Sequence, residues 1–104
     1  MKILKEKHCE KFSLYIIEHG FLWFKTKITV IEADNQDDDN TTLYIVQEDG
    51  SLIKCKDYYD GSMTCVNIRL CINESFLARL DKAELKRVKD LTKNELRKFL
   101  SNRK

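Results

Sequence analysis

Three groups of residues in this 104-residue chain have the types that chemistry needs: the His8-Cys9 pair, the carboxylates crowded between Asp34 and Asn40, and the four cysteines Cys9, Cys55, Cys65 and Cys71. His8-Cys9 could begin a metal site or pair a nucleophile with its base, yet neither a C-x-x-C nor an H-x-x-x-H partner occurs in the chain. Asp34-Asn35-Gln36-Asp37-Asp38-Asp39-Asn40 offers the hard oxygen ligands that calcium takes. The glycine and glutamate positions of an EF-hand loop are not in place, so a solvated loop is expected and no metal is assigned. The cysteines stand singly inside strand-like patterns and are expected as reduced thiols, Cys55 facing the core and Cys65 and Cys71 opposite it with Asn67 and Arg69. No phosphate loop, G-x-S-x-G elbow, H-E-x-x-H or dinucleotide fingerprint is present. Nearly every carboxylate falls in a turn, loop or helix cap rather than in a concave, desolvated site, so neither enzymatic activity nor a cofactor is expected.

The elements that would carry these residues centre on Thr41 to Ile72. Three period-2 runs, Thr41 to Glu48, Ser51 to Asp57 and Met63 to Ile72, are separated by Asp49-Gly50 and Asp60-Gly61, which predicts an antiparallel meander. Two-residue turns there set Val46 opposite Ile53 and Tyr44 opposite Cys55, then Ile53 opposite Ile68 and Cys55 opposite Val66. The resulting core face is Tyr44, Val46, Ile53, Cys55, Val66, Ile68, Leu70 and Ile72. An earlier hairpin joins Phe12 to Ile17 with Phe21 to Ala33 through a turn at His19-Gly20. One of its faces carries Tyr15, Ile17, Leu22, Phe24, Ile28 and Val30; the other carries Phe12, Leu14, Ile16 and Trp23. Residues 1–11 are too charged to assign, and Glu32 to Asn40 is expected as a surface loop.

After Ile72 the period lengthens. Asn73 is expected to cap a helix from Glu74 that carries Phe76, Leu77 and Leu80 on one side. An eleven-residue unit then repeats, Leu80 to Val88 and Leu91 to Phe99, each copy with a capping residue (Asp81, Thr92), a Glu three positions on (Glu84, Glu95) and a leucine pair. Capping boxes with hydrophobic staples predict short consecutive helices, while a period near three turns also fits one bent helix. Either form docks Phe76, Leu77, Leu80, Leu85, Val88, Leu96, Phe99 and Leu100 on the sheet. The expected fold is a single α+β domain over 1–104, with a five-stranded antiparallel meander-type sheet across 12–72 and a helical segment over 73–102 packed on one face.

The net charge of +2 hides an asymmetry. Residues 32–60 hold nine carboxylates against two lysines, and residues 79–104 hold ten Lys or Arg against four carboxylates. Such a distribution bears on partners and association rates rather than on fold. No apolar run is long enough to span a bilayer and Lys5, Glu6 and Lys7 interrupt any signal-like start, so a cytoplasmic protein with no membrane partner is expected.

Leu91-Thr92-Lys93-Asn94-Glu95-Leu96 resembles the first helix of SAP and helix-extension-helix DNA-binding motifs over the ten residues to Leu100; the chain ends before the second helix of those motifs. The usage of Lys, Asn, Ile and Asp without proline resembles small proteins of AT-rich phages and mobile elements, which implies inhibition of a host factor by binding. The expected function is therefore non-enzymatic binding to a protein or ribonucleoprotein complex. Phe12 and Trp23 are the expected contacts and Asp37, Asp38 and Asp39 the steering charges. The alternative is direct nucleic-acid binding through Lys82, Lys86, Arg87, Lys93, Arg97 and Lys98. A homodimer through the first hairpin or a strand edge is compatible with both.

Overall fold

A computed structural model describes residues 2–21, 23–34, 41–56 and 77–101. It contains strands β1 (Lys2–His8), β2 (Phe12–Phe21), β3 (Phe24–Asp34), β4 (Thr41–Val46), β5 (Leu52–Cys55) and β6 (Leu77–Arg79), then helix α1 (Lys82–Ser101). The strands form one antiparallel sheet in the order β1-β2-β3-β4-β5-β6. The class is α+β as expected, with six strands instead of five. The extra strands lie where the sequence was left unassigned or read as helix. β1 occupies the charged N-terminus, and Leu77 to Arg79 pairs with β5. Phe76, Leu77 and Leu80 carried too short a periodicity to separate helix from strand. The third meander strand expected over Met63 to Ile72, and the cap at Asn73, lie outside the described residues.

The β2–β3 hairpin is longer than its sequence suggested. Phe21 pairs with Phe24, while His19 and Gly20, the expected turn, pair inside the ladder with Thr26 and Lys25. This register brings the apolar centres of the two strands together, Leu14 with Ile31, Tyr15 with Val30 and Ile17 with Ile28, and places Glu18 with Lys27 and His19 with Thr26 between them and the Phe21–Phe24 pair at the tip. The shift is six residues, an even number, so the faces survive: Tyr15, Ile17 and Val30 share one, and Phe12, Leu14 and Ile16 the other. β3 also continues through Glu32 to Asp34, which takes the start of the expected acidic loop into the sheet.

The β4–β5 register differs by one residue. Gln47 N–H donates to Ser51 O at 2.8 Å and Gly50 N–H to Gln47 O at 2.9 Å, with Gly50 at φ +88°. This is a three-residue loop ending in a left-handed glycine, not a two-residue turn. Tyr44 therefore opposes Lys54 and Ile45 opposes Ile53. The slip is tolerated because both faces of the sheet are buried: Tyr44 belongs to one apolar cluster, Leu43 and Cys55 to the other.

One continuous twenty-residue helix replaces the expected short helices, in line with the single-helix alternative. Asp81 caps it, accepting from Glu84 N–H at 2.8 Å. Thr92, the second expected cap, is buried in mid-helix, and its hydroxyl donates to Val88 O at 2.9 Å. The repeat is same-face placement, since eleven residues make about three turns. Val88 and Phe99, at equivalent positions, are the inward apolar anchors, packed with Leu14, Ile31 and Tyr44.

Candidate functional site

The helix is seated along one row of directly opposed residues that crosses the sheet: Lys7, Leu14, Ile31, Tyr44, Lys54 and Ala78. Apolar members fill the middle of the row, and a lysine on each side of them meets a glutamate of α1. Near the helix start Lys54 Nζ donates to Glu84 Oε1 at 2.7 Å, and Tyr44 OH donates to Glu84 Oε2 at 2.9 Å. Arg87 Nη2 in turn donates to Tyr44 OH at 3.3 Å. Eleven residues on, Glu95 pairs with Lys7, and Lys5 Nζ donates to Phe99 O at 2.9 Å while lying over the Phe99 ring. Glu84 and Glu95 are separated by about 16 Å of helix, close to the roughly 19 Å from β5 to β1, so both ends engage without strain.

Burial pushes the Tyr44 hydroxyl well above its ordinary pKa, and its bond to the Glu84 carboxylate pushes the same way. At the other pair the hydrogen bond between Lys7 and Glu95 raises the lysine and lowers the glutamate. These groups fasten α1 to the sheet. That role explains why Arg87, expected as a nucleic-acid contact, is half-buried and turned inward.

Two surfaces remain for a partner. Beyond Lys2–Glu18 on one side and Thr29–Val46 on the other, β2 and β3 have no outer neighbour among the described strands and continue as a two-stranded ribbon. Trp23 stands at its turn, 78% exposed. Lys25 and Glu18 lie 3.6 Å apart on the ribbon, and Lys27 is exposed. Phe12, the other expected contact, is only 8% exposed and packs between sheet and helix, so it is not presented with Trp23. Period-2 alternation at Phe12 could not say which face the helix covers. Asp37, Asp38 and Asp39 lie outside the described residues.

The second surface is the outward face of α1. Lys82, Lys86, Lys89, Lys93 and Arg97 are exposed and fall at steps of four, three, four and four residues, within an arc of about 80°. None of the five makes an ion pair or hydrogen bond among the described residues. Lys98 is set apart, lining a cleft of about 170 Å³ with Lys5, Glu6, Lys7 and Phe99.

Sequence reading missed one arrangement of reactive types. His8 Nδ1 lies 3.0 Å from Ser13 Oγ, and His8 Nε2 lies 3.6 Å from Glu6 Oε2. This has the order of a nucleophile, base and carboxylate, but the last separation exceeds a hydrogen bond and the His and Glu side chains are more than half exposed. Only the β1–β2 pairing could have revealed it. Cys9 is a free, partly buried thiol. Cys55 is buried and disulfide-bonded, which overturns the reduced-thiol expectation for it and removes that argument for a reducing compartment. No group of three metal-ligating side chains occurs among the described residues, and no helix among them is long and apolar enough to cross a membrane. Comparison of the chain with protein-family models, curated proteins and solved structures finds no match.

Proposed function

We propose that the protein is a non-enzymatic binding module that captures a protein or ribonucleoprotein partner on the tip of its β2–β3 ribbon. The observation that carries this reading is Trp23, a large aromatic held 78% exposed at the end of a projecting two-stranded ribbon. Large aromatics dominate interface energetics because they bury much area with little rotamer entropy to lose. Most of the Trp23 surface faces water, and burying it in a partner's pocket would anchor binding. The compositional resemblance to small proteins of AT-rich phages and mobile elements implies inhibition of a host nucleic-acid-handling complex as the outcome of capture. The Asp37 to Asp39 run supplies the negative charge that would steer a basic partner.

The test is affinity capture of tagged protein from extract of its native cell, after nuclease treatment, alongside Trp23→Ala and the triple Asp37→Asn, Asp38→Asn, Asp39→Asn variant. A discrete protein retained by the parent chain and lost with folded Trp23→Ala is the expected result. Equal capture by both chains would refute the assignment.

A further inference from the structure

We propose that the outward face of α1 is a docking surface for the phosphate backbone of duplex DNA, separate from the ribbon tip. Lys82, Lys86, Lys89, Lys93 and Arg97 form one row about 22 Å long, and among the described residues none has a counter-charge bonded to it. Asp90 is the one exposed carboxylate beside them, so the face keeps a strong positive balance. The row is pre-organised. Its helix is fastened to the sheet near both ends, at Glu84 and at Glu95 with Phe99, so binding need not order the backbone and costs only the freedom of the cationic side chains.

The chemistry of the face selects among polyanions. Leu4 and Trp23 are the exposed large apolar side chains among the described residues, and neither is on α1. The face therefore has nothing to insert into a bilayer, and no aromatic on which single-stranded bases could stack. A row of cations at regular spacing on one continuous helix matches a regular line of phosphates. The major groove of B-form DNA, about 12 Å wide, admits a helix with its phosphate walls within lysine reach, whereas that of A-form RNA is deep and narrow. With no bidentate pair aimed at base edges, binding is independent of sequence.

Fluorescence anisotropy with a labelled 24-base-pair DNA duplex tests this on the full chain. Neutralising four to five phosphates predicts that affinity falls by a few hundredfold between 50 and 200 mM salt. The triple variant Lys86→Glu, Lys89→Glu, Lys93→Glu, checked for unchanged circular dichroism, loses measurable binding. The milder Lys86→Gln, Lys93→Gln variant flattens the salt dependence by about two phosphates. Trp23→Ala leaves DNA affinity unchanged, which keeps this result distinct from that for the ribbon. Absence of binding at 50 mM salt, retained binding by the folded triple variant, or equal affinity for single-stranded DNA, duplex RNA or anionic vesicles overturns the proposal.

Discussion

The ribbon tip and the outer face of α1 are both exposed, but they differ in what they could give a partner. The tip offers one large aromatic carried on two strands, and its energy would come from desolvation at short range, with little response to salt. The helix face offers five cations and no exposed large apolar group, and its energy would come from counterion release, which salt abolishes. The difference teaches that exposure alone does not identify a binding site. What the exposed groups are made of decides which class of partner they suit. The inner side of α1 and the body of the sheet hold the two buried apolar clusters of the fold.

Such a division of labour can be broken most severely from the inside. Phe99→Ala removes an inward anchor and should cost about 3–5 kcal/mol in urea unfolding. Glu84→Gln strips the charge from a mostly buried cluster, removing the ion pair with Lys54 and leaving Tyr44 bonded to a weaker acceptor, and should cost roughly 2–4 kcal/mol. A loss under about 0.5 kcal/mol in either would mean that the helix is not fastened where described.

Tyr44→Phe comes next, at about 1–2 kcal/mol for a buried hydrogen-bonded hydroxyl. Its pH signature is separate. The pKa of Tyr44 is higher folded than unfolded, so its contribution is complete below about pH 10 and is lost as pH rises further. Absorbance titration at alkaline pH should show a smaller late-ionising tyrosine component in Tyr44→Phe than in the parent chain.

Glu95→Gln breaks the exposed pair and has a smaller effect than Glu84→Gln. Glu95 has a lowered folded pKa, so its contribution is present above about pH 4.5 and fades as pH falls through the folded value. Acid unfolding of Glu95→Gln should therefore shift less with pH than that of the parent chain. An identical acid profile would remove the Lys7 pair from the account. Smallest of all, Trp23→Ala and the lysine reversals on α1 should each change stability by less than about 0.5 kcal/mol. A larger loss would show that these surfaces also hold the fold.

The legible parts of the fold were those set by local pattern. Alternation at Phe12 to Ile17 and at Thr41 to Val46 marked strands, and Asp81 with Glu84 marked a helix start. Registers were not legible, because the choice between a two-residue and a three-residue loop at Asp49-Gly50 depends on whether one or both sheet faces are buried. The second capping box misled for a similar reason. Thr92 and Glu95 have the spacing of a cap, but docking on the sheet carries the helix through them. At the site, the sequence placed Trp23 on a hairpin face with Phe12, Leu14 and Ile16, and only the longer ladder of the hairpin puts it at the turn. The bond from Arg87 to Tyr44 was not legible, because the two residues are forty-three positions apart in the chain.

The central claim is that Trp23 carries partner capture. The measurement that tests it most directly is the affinity of the nuclease-resistant partner for the parent chain and for Trp23→Ala, by calorimetry at 50 and 200 mM salt. A loss of roughly 30-fold or more at both salts, about 2 kcal/mol, is what an anchoring aromatic predicts. Unchanged affinity of the folded variant, or a loss that appears only at low salt, would contradict it.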